Sequence, residues 1–214
     1  VYVLVKKVAD WKSGLIAALF IAIFPGQIFF RSYYGYFDHH IGEVLFSTLF
    51  CLCYVYALVY CRQNPVDIKN RETWKIPALL GVICGIVYVL GLALMPTMIL
   101  FALLVGMFTP VWFFIQRYLG HLGGSALVVN TVTFAVAIIG FLFIGVHAEG
   151  GLNYYTTGHL VAYGLIILAT WILFGFSWYL RERPYYHYVL VLAGVTVLGI
   201  LLLAILFPEL YNYL

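Results

Sequence analysis

The sequence predicts an all-α protein, a polytopic bundle of about seven transmembrane helices with no soluble domain. Of its 214 residues, 65% are hydrophobic and only 9% are charged, and the mean hydropathy is +1.04. A soluble domain carries about 25% charged residues. Because so few polar side chains cannot cover a water-facing surface, most of this surface must face lipid. Membrane lipid is therefore an expected partner, and nucleic acid is not.

Seven apolar stretches have the length of a membrane span, since about 20 apolar residues in a helix cross roughly 30 Å of hydrocarbon. None alternates apolar and polar positions as a barrel strand does. In hydrocarbon the backbone must satisfy its own hydrogen bonds, which favours helices. The predicted spans are residues 14–30, 43–61, 76–94, 97–116, 124–146, 158–180 and 187–207.

The segments outside the spans complete the prediction in chain order. The start, VYVLV followed by Lys6 and Lys7, reverses the order of a signal peptide. We therefore expect the tail of an earlier helix there, and residues 1–214 to be a partial transmembrane domain. The polar loop 61–75 is predicted to solvate helix ends, and Met95–Thr97 to form a tight turn between two spans.

Two residue types within and beside the spans carry simple expectations. The four cysteines all fall in or at the ends of apolar runs, where they are predicted to be buried apolar thiols. Four histidines lie near span ends and are predicted to be interfacial: His121, His147, His159 and His187.

The lysines and arginines predict which span ends face the cytoplasm. With residues 1–13 placed inside and the loops numbered alternately, ten of the 11 cations fall on the inner side, which is the positive-inside pattern. The inner set is Lys6, Lys7, Lys12, Arg62, Lys69, Arg71, Lys75, Arg117, Arg181 and Arg183. Arg31 alone is predicted outside. The chain is thus a predicted multi-pass protein of the cell membrane, with RSYYGYFDHHIGE (31–43) at the extracytoplasmic face.

Four potential metal ligands lie within six residues of that segment: Asp38, His39, His40 and Glu43. Carboxylate oxygen with imidazole nitrogen suits Mn²⁺ or Zn²⁺, and a site richer in oxygen suits Mg²⁺. Asp38 is predicted to cap a helix that begins near Ile41. The side chains of Asp38 and of His40, two residues later, can then both point off the helix end toward one ion. His39 with Glu43, four apart on one helical face, is the alternative pairing.

The density of these groups favours a functional site. A charged or histidine side chain at a membrane interface often only caps a helix or meets lipid headgroups. Four such side chains in six residues, preceded by Arg31, are better explained by function.

The stretch GLIAALFIAIFPGQIFFRSYYGYFDHHIGEVLFSTLF, residues 14–50, resembles the membrane domain of archaeal oligosaccharyltransferase catalytic subunits. These dolichyl-phosphooligosaccharide–protein glycosyltransferases have the GT-C fold and transfer a glycan from a dolichol-linked donor to Asn in Asn-x-Ser/Thr sequons. Their second short acidic motif, Asp-x-His in many archaeal members, falls on Asp38, His39 and His40. The resemblance therefore implies a lipid-linked oligosaccharide and an acceptor polypeptide as partners.

The resemblance also implies roles for individual residues. Asp38 and His40 look like ligands of the catalytic divalent cation, Mn²⁺ or Mg²⁺. Arg31 matches a recurrent arginine just upstream of the motif that could steady the lipid-linked phosphates or a neighbouring carboxylate. Glu43 matches a frequent acidic position, where catalysis, capping and packing all remain open, and His39 is a possible additional site residue. The chain lacks the family's other acidic and tryptophan-containing motifs. We therefore expect weak cation binding and no glycan transfer by these residues alone.

Two other classes of function compete with this interpretation. A transporter or channel subunit would place charged groups near the membrane centre or break helices at matching positions in two halves. The ionisable groups of these spans lie at their ends. Another GT-C polyprenyl-phosphate-sugar glycosyltransferase would carry its acidic motif in a first outer loop, which this sequence does not contain.

Overall fold

The computed structural model describes residues 1–23, 40–67, 70–147 and 154–194, with only the backbone of His40. All regular structure in these ranges is helical. The α-helices are α1 (Tyr2–Val8), α2 (Trp11–Ile23), α3 (His40–Gln63), α4 (Lys75–Leu94), α5 (Ile99–Tyr118), α6 (Gly124–Ile144), α7 (Thr157–Tyr179) and α8 (185–194). Two short 3-10 helices, Arg71–Trp74 and Pro96–Met98, precede α4 and α5.

Five of these helices are long and apolar enough to cross a membrane, namely α3 to α7. They correspond to the predicted spans 43–61, 76–94, 97–116, 124–146 and 158–180, which are confirmed as apolar helices. The predicted spans 14–30 and 187–207 extend beyond residues 23 and 194, where the described ranges stop. The total of seven spans therefore stays a prediction.

Glycines bring α4 and α6 into close contact at the centre of the bundle. A Cβ atom built on Gly81 would lie 2.9 Å from Val132 Cβ, and one on Gly85 would lie 2.6 Å from Val136 Cβ. From the other helix, a Cβ on Gly140 would overlap the side chain of Val89. Without a hydrophobic driving force between helices in lipid, such small residues permit the van der Waals packing that holds them together.

Asn130 of α6 joins four helices through a buried polar cluster that was not predicted from the sequence. Its side chain is 0% exposed. The Tyr54 hydroxyl of α3 donates to Asn130 Oδ1 over 2.7 Å. Asn130 Nδ2 donates to Thr109 Oγ1 of α5 over 3.0 Å and to Thr170 Oγ1 of α7 over 3.4 Å. Unlike the apolar surface around it, this cluster fixes which sides of the four helices face each other.

The five long helices alternate in direction, and their ends therefore form two faces. One, the basic face, holds the ends of α3, α5 and α7 and the starts of α4 and α6. Its cations within the described ranges are Arg62, Arg71, Lys75, Arg117, Arg181 and Arg183. Arg117 Nη2 donates to the carbonyl oxygens of Leu180 and Arg183 over 2.8 and 3.0 Å, which ties α5 to the segment after α7.

The cysteines follow the prediction from the sequence, and the histidines follow it in part. All four cysteines are free thiols, with Cys61 and Cys84 buried and the other two half-buried. His121 and His147 are exposed at span ends, as predicted. His159 also lies at a span end but is 0% exposed, so its interfacial assignment is wrong. Its ring stacks on Phe141 with centroids 5.2 Å apart, and the rings of Tyr155 and Tyr163 lie 6.4 and 6.2 Å away, so aromatic side chains enclose it.

Candidate functional site

The face of the bundle opposite the basic face includes Glu43, which lies in the first turn of α3. The Thr97 hydroxyl donates to Glu43 Oε1 over 2.6 Å. Thr97 belongs to the short helix Pro96–Met98 that joins α4 to α5, in the turn predicted there. Glu43 is half-buried, and this hydrogen bond joins the last of the four potential ligands to the turn between two spans.

Two glycines allow α3 to approach that turn. A Cβ on Gly42 would lie 2.7 Å from Leu94 Cδ1 at the end of α4. A Cβ on Gly91 would lie 2.9 Å from both Phe46 Cβ and Met98 Cε. The absence of these two Cβ atoms therefore lets the first turn of α3 pack against the end of α4, and this packing holds Glu43 within reach of Thr97.

The start of α7 completes the described part of this face. The Tyr155 hydroxyl donates to Leu92 O over 2.8 Å, and partial burial raises the pKa of Tyr155 above its ordinary value. His159 Nε2 lies 3.2 Å from Pro96 O. Since a carbonyl oxygen only accepts hydrogen bonds, Nε2 carries the proton in this arrangement, and Nδ1 is left buried without a partner.

The predicted site residues are placed unequally. Arg31, Asp38 and His39 lie outside the described residues, as does the side chain of His40, which is the first residue of α3. Glu43 is the one predicted site residue whose side chain is described. Within the described ranges, no group of three or more His, Cys, Asp or Glu side chains is close enough to hold a metal ion. The cation site of Asp38 and His40 therefore stays a prediction.

Thr97, Tyr155 and His159 were not predicted from the sequence as contact residues of this face. Thr97 carries the only side-chain hydroxyl of the predicted Met95–Thr97 turn, which was a usable signal for a partner to Glu43. His159 comes three residues after Thr156, at the start of an apolar run, and that position alone does not distinguish a headgroup contact from a buried ring.

Comparison with known proteins indicates the same family that residues 14–50 resemble. The family described as "Oligosaccharyl transferase STT3, N-terminal" matches residues 1–205. Over 94 residues the chain is 35% identical to "Dolichyl-phosphooligosaccharide-protein glycotransferase 3" of Archaeoglobus fulgidus, an alignment that covers 42% of this chain and 10% of that protein. No solved structure matches the chain. Because the family match covers nearly all of the sequence, this chain belongs to the oligosaccharyl transferase STT3 family.

Proposed function

We propose that this chain is the membrane core of an oligosaccharyltransferase, which transfers a glycan from a dolichol-linked donor to Asn in Asn-x-Ser/Thr sequons. The match of the STT3 family over residues 1–205 carries this proposal. The name of the similar Archaeoglobus protein supports a dolichyl-linked donor. The alignment spans about a tenth of that relative. The glycan transfer and the two substrates of a whole enzyme are therefore proposed for this chain.

The proposed site consists of Asp38 and His40 as cation ligands, with Arg31 beside the donor phosphates. The donor set fits the group, because a carboxylate and an imidazole suit Mn²⁺, and Mg²⁺ is accommodated with further oxygen ligands. α3 begins at His40, so Asp38 lies two positions before the first helical residue, one position before the N-cap predicted for it, and its place at the site rests on the resemblance. His39 remains a further candidate ligand.

The reaction explains why such residues are needed. The Asn amide nitrogen is a poor nucleophile, and the anomeric carbon must lose a lipid phosphate. When bound, the cation supplies charge stabilisation to that leaving phosphate. Arg31 would add a second positive charge near the same oxygens. Glu43, which is already hydrogen-bonded to Thr97, serves in our proposal to hold the start of α3 in position.

We further propose that the basic face is cytoplasmic and that the site is extracytoplasmic, in the cell membrane. The support is the distribution of charge. Six described cations occupy the basic face, whereas Glu43 and the start of α3 lie at the other end of the bundle. Cytoplasmic ends of membrane helices carry such an excess of Lys and Arg.

Glycan transfer tests the proposed residues directly. Glycan transfer would be assayed in membranes from cells that express the complete gene, with a dolichol-linked donor and a fluorescent peptide containing an Asn-x-Thr sequon. We expect Asp38→Asn and His40→Gln to lower the rate by about 100-fold or more, because each removes a ligand of the charge-stabilising cation. Glu43→Gln keeps an oxygen acceptor for Thr97 and should cost less than about tenfold.

Glu72→Gln is the matched control, because Glu72 is an exposed carboxylate on the basic face whose described partner is Lys75, at 2.6 Å. Equal rates for Asp38→Asn, His40→Gln and Glu72→Gln would refute the assignment of the site. Absence of any sequon-dependent transfer by the unaltered gene product would refute the proposed function itself.

Cation binding tests the ligand assignment apart from activity. In electron paramagnetic resonance, free Mn²⁺ gives a sharp six-line signal that weakens when the ion binds protein. We expect the purified 214-residue chain to bind Mn²⁺ weakly, and Asp38→Asn or His40→Gln to abolish that binding. Binding that survives both substitutions but is lost in Glu43→Gln with His39→Gln would favour the alternative pairing instead.

A further inference from the structure

A polar cavity lies at the basic face, at the opposite end of the bundle from the proposed catalytic segment. It has a volume of about 230 Å³ and is enclosed by the end of α3, the end of α5 and the start of α6. The residues that decide its chemistry are Arg62, Trp112, Gln116, His121, Gly123 and Ser125. The proposed function assigns no role to any of them.

Two side-chain donors that line this cavity are buried without a hydrogen-bond partner. Gln116 is 6% exposed, and its Nε2 has no acceptor. The indole Nε1 of Trp112, which can only donate, is also buried and unpaired. Buried polar groups in folded proteins are normally satisfied, so a ligand with acceptor atoms in this cavity would pair two donors that the protein itself leaves unpaired.

The start of α6 adds backbone donors to the same wall. The first amide groups of a helix lack partners within it and form the positive end of the helix dipole. In α6 the Ala126 amide donates to Gly123 O over 3.0 Å, so the amides of Gly124 and Ser125 are the backbone donors at this wall. Gly123 at the N-cap provides no side-chain acceptor for them. Its φ of +76° favours glycine, and a Cβ there would lie 2.7 Å from Phe113 Cε1, so a capping side chain is excluded at this position.

The remaining lining residues favour an anion. Arg62 contributes a full positive charge and lies exposed at the wall, together with exposed His121. Ser125 Oγ donates to Cys61 O over 3.4 Å, which joins the start of α6 to the end of α3. No carboxylate is among the residues that line the cavity.

We propose that this cavity binds a phosphate group, held by Arg62, Gln116, Trp112 and the first turn of α6. The volume of about 230 Å³ is below the range of about 300–1,000 Å³ for drug-sized ligands, so it suits a small group such as a phosphate. The cavity lies where helix ends meet the membrane boundary, and basic pockets between transmembrane helices bind lipid headgroups there. A phosphate ester of an anionic lipid and free phosphate share the required chemistry.

Native mass spectrometry of the purified 214-residue chain in detergent tests the proposal. Retention of phosphatidic acid would be compared with retention of diacylglycerol of the same acyl chains, which lacks the phosphate. We expect a clear preference for phosphatidic acid, and about tenfold weaker retention in Arg62→Gln, because a hydrogen-bonded charge is lost. Gln116→Met, which keeps the side-chain length, should weaken retention about threefold or more.

Arg181→Gln is the matched control, since Arg181 is an exposed arginine on the same face that does not line the cavity. Arg62 is exposed, so its substitution leaves the packing intact, and thermal unfolding checks this for both variants. Displacement of the lipid by inorganic phosphate would identify free phosphate as a ligand, and failure to displace it would identify the lipid. Equal retention of both lipids, or equal losses in Arg62→Gln and Arg181→Gln, would overturn the proposal.

Discussion

At the scale of single residues, the polar side chains of Asn130 and Glu43 have defined structural tasks. Asn130 uses both its acceptor and its donors to join α3, α5 and α7 to α6. Glu43, whose role was open between catalysis, capping and packing, accepts a hydrogen bond from Thr97 at the end of the bundle opposite the basic face. In lipid, an unpaired polar group has no water to turn to, so each of these side chains restricts how the helices can pack.

Replacement of Asn130 by Leu should destabilise the bundle. The change leaves the Tyr54 hydroxyl without its acceptor and removes the donor to Thr109. Single hydrogen bonds between membrane helices contribute about 0.6 kcal/mol on average and up to about 1.7 kcal/mol. We therefore expect the free energy of unfolding to fall by about 1–3 kcal/mol, measured by titration of the detergent-solubilised chain with sodium dodecyl sulfate.

Thr131→Val is the control for this substitution. Thr131 neighbours Asn130 on α6, but its Oγ1 is buried without a partner. Removing an unsatisfied hydroxyl costs no hydrogen bond, so the free energy of unfolding should be unchanged or slightly higher. A loss as large as that of Asn130→Leu would contradict the role assigned to the polar cluster.

At the scale of elements, the spacing between α4 and α6 depends on glycines at three levels of the interface. Gly81, Gly85 and Gly140 each face a valine on the other helix at a distance that leaves no room for a methyl group. The valine rows fill the space that the missing side chains leave. This interface therefore places the end of α4, and with it the turn that holds Thr97, relative to the rest of the bundle.

Gly85→Ala tests that spacing. The added Cβ would lie 2.6 Å from Val136 Cβ and 2.9 Å from Thr133 O, so α4 and α6 must separate. Overpacking of this kind typically costs about 1–3 kcal/mol. We expect a loss of that size in the free energy of unfolding, measured by the same detergent titration.

Gly164→Ala on α7 is the matched control, because nothing lies within 4 Å of a Cβ built there. In a helix interior, Ala is favoured over Gly by about 1 kcal/mol. This variant should therefore be as stable as the parent chain or more stable. Equal destabilisation by both substitutions would show that the glycines matter for a reason other than close packing.

At the scale of the whole molecule, the sequence predicts where the membrane spans lie but not which residues of different helices contact each other. Span positions follow from apolar length, which is a local property, and five of the seven predicted stretches are confirmed as long apolar helices. The contact between Tyr54 and Asn130 joins residues 76 positions apart. In helices that are apolar all round, periodicity does not show which side faces a neighbour, so neither this contact nor the burial of His159 was predictable.

In the candidate site, the start of α3 was predictable from the sequence and the contacts of Glu43 were not. The start of α3 follows from the change of polar to apolar residues near Ile41, and the structure places it at His40. The hydrogen bond between Glu43 and Thr97 depends on how α3 approaches the α4–α5 turn, which in turn depends on Gly42 and Gly91. Such approach distances are a property of the packed bundle and leave no periodic pattern in the sequence.

The orientation of the bundle in the membrane gives the last prediction. A cysteine introduced at His147, exposed on the face of Glu43, should react with a membrane-impermeant maleimide in intact cells. A cysteine at Arg181, exposed on the basic face, should react only after the cells are permeabilised. The unaltered chain is the control, because its four native cysteines are buried or half-buried within spans and should react little in either condition. The reverse pattern would place the segment 31–43 in the cytoplasm, where the positive-inside distribution does not put it.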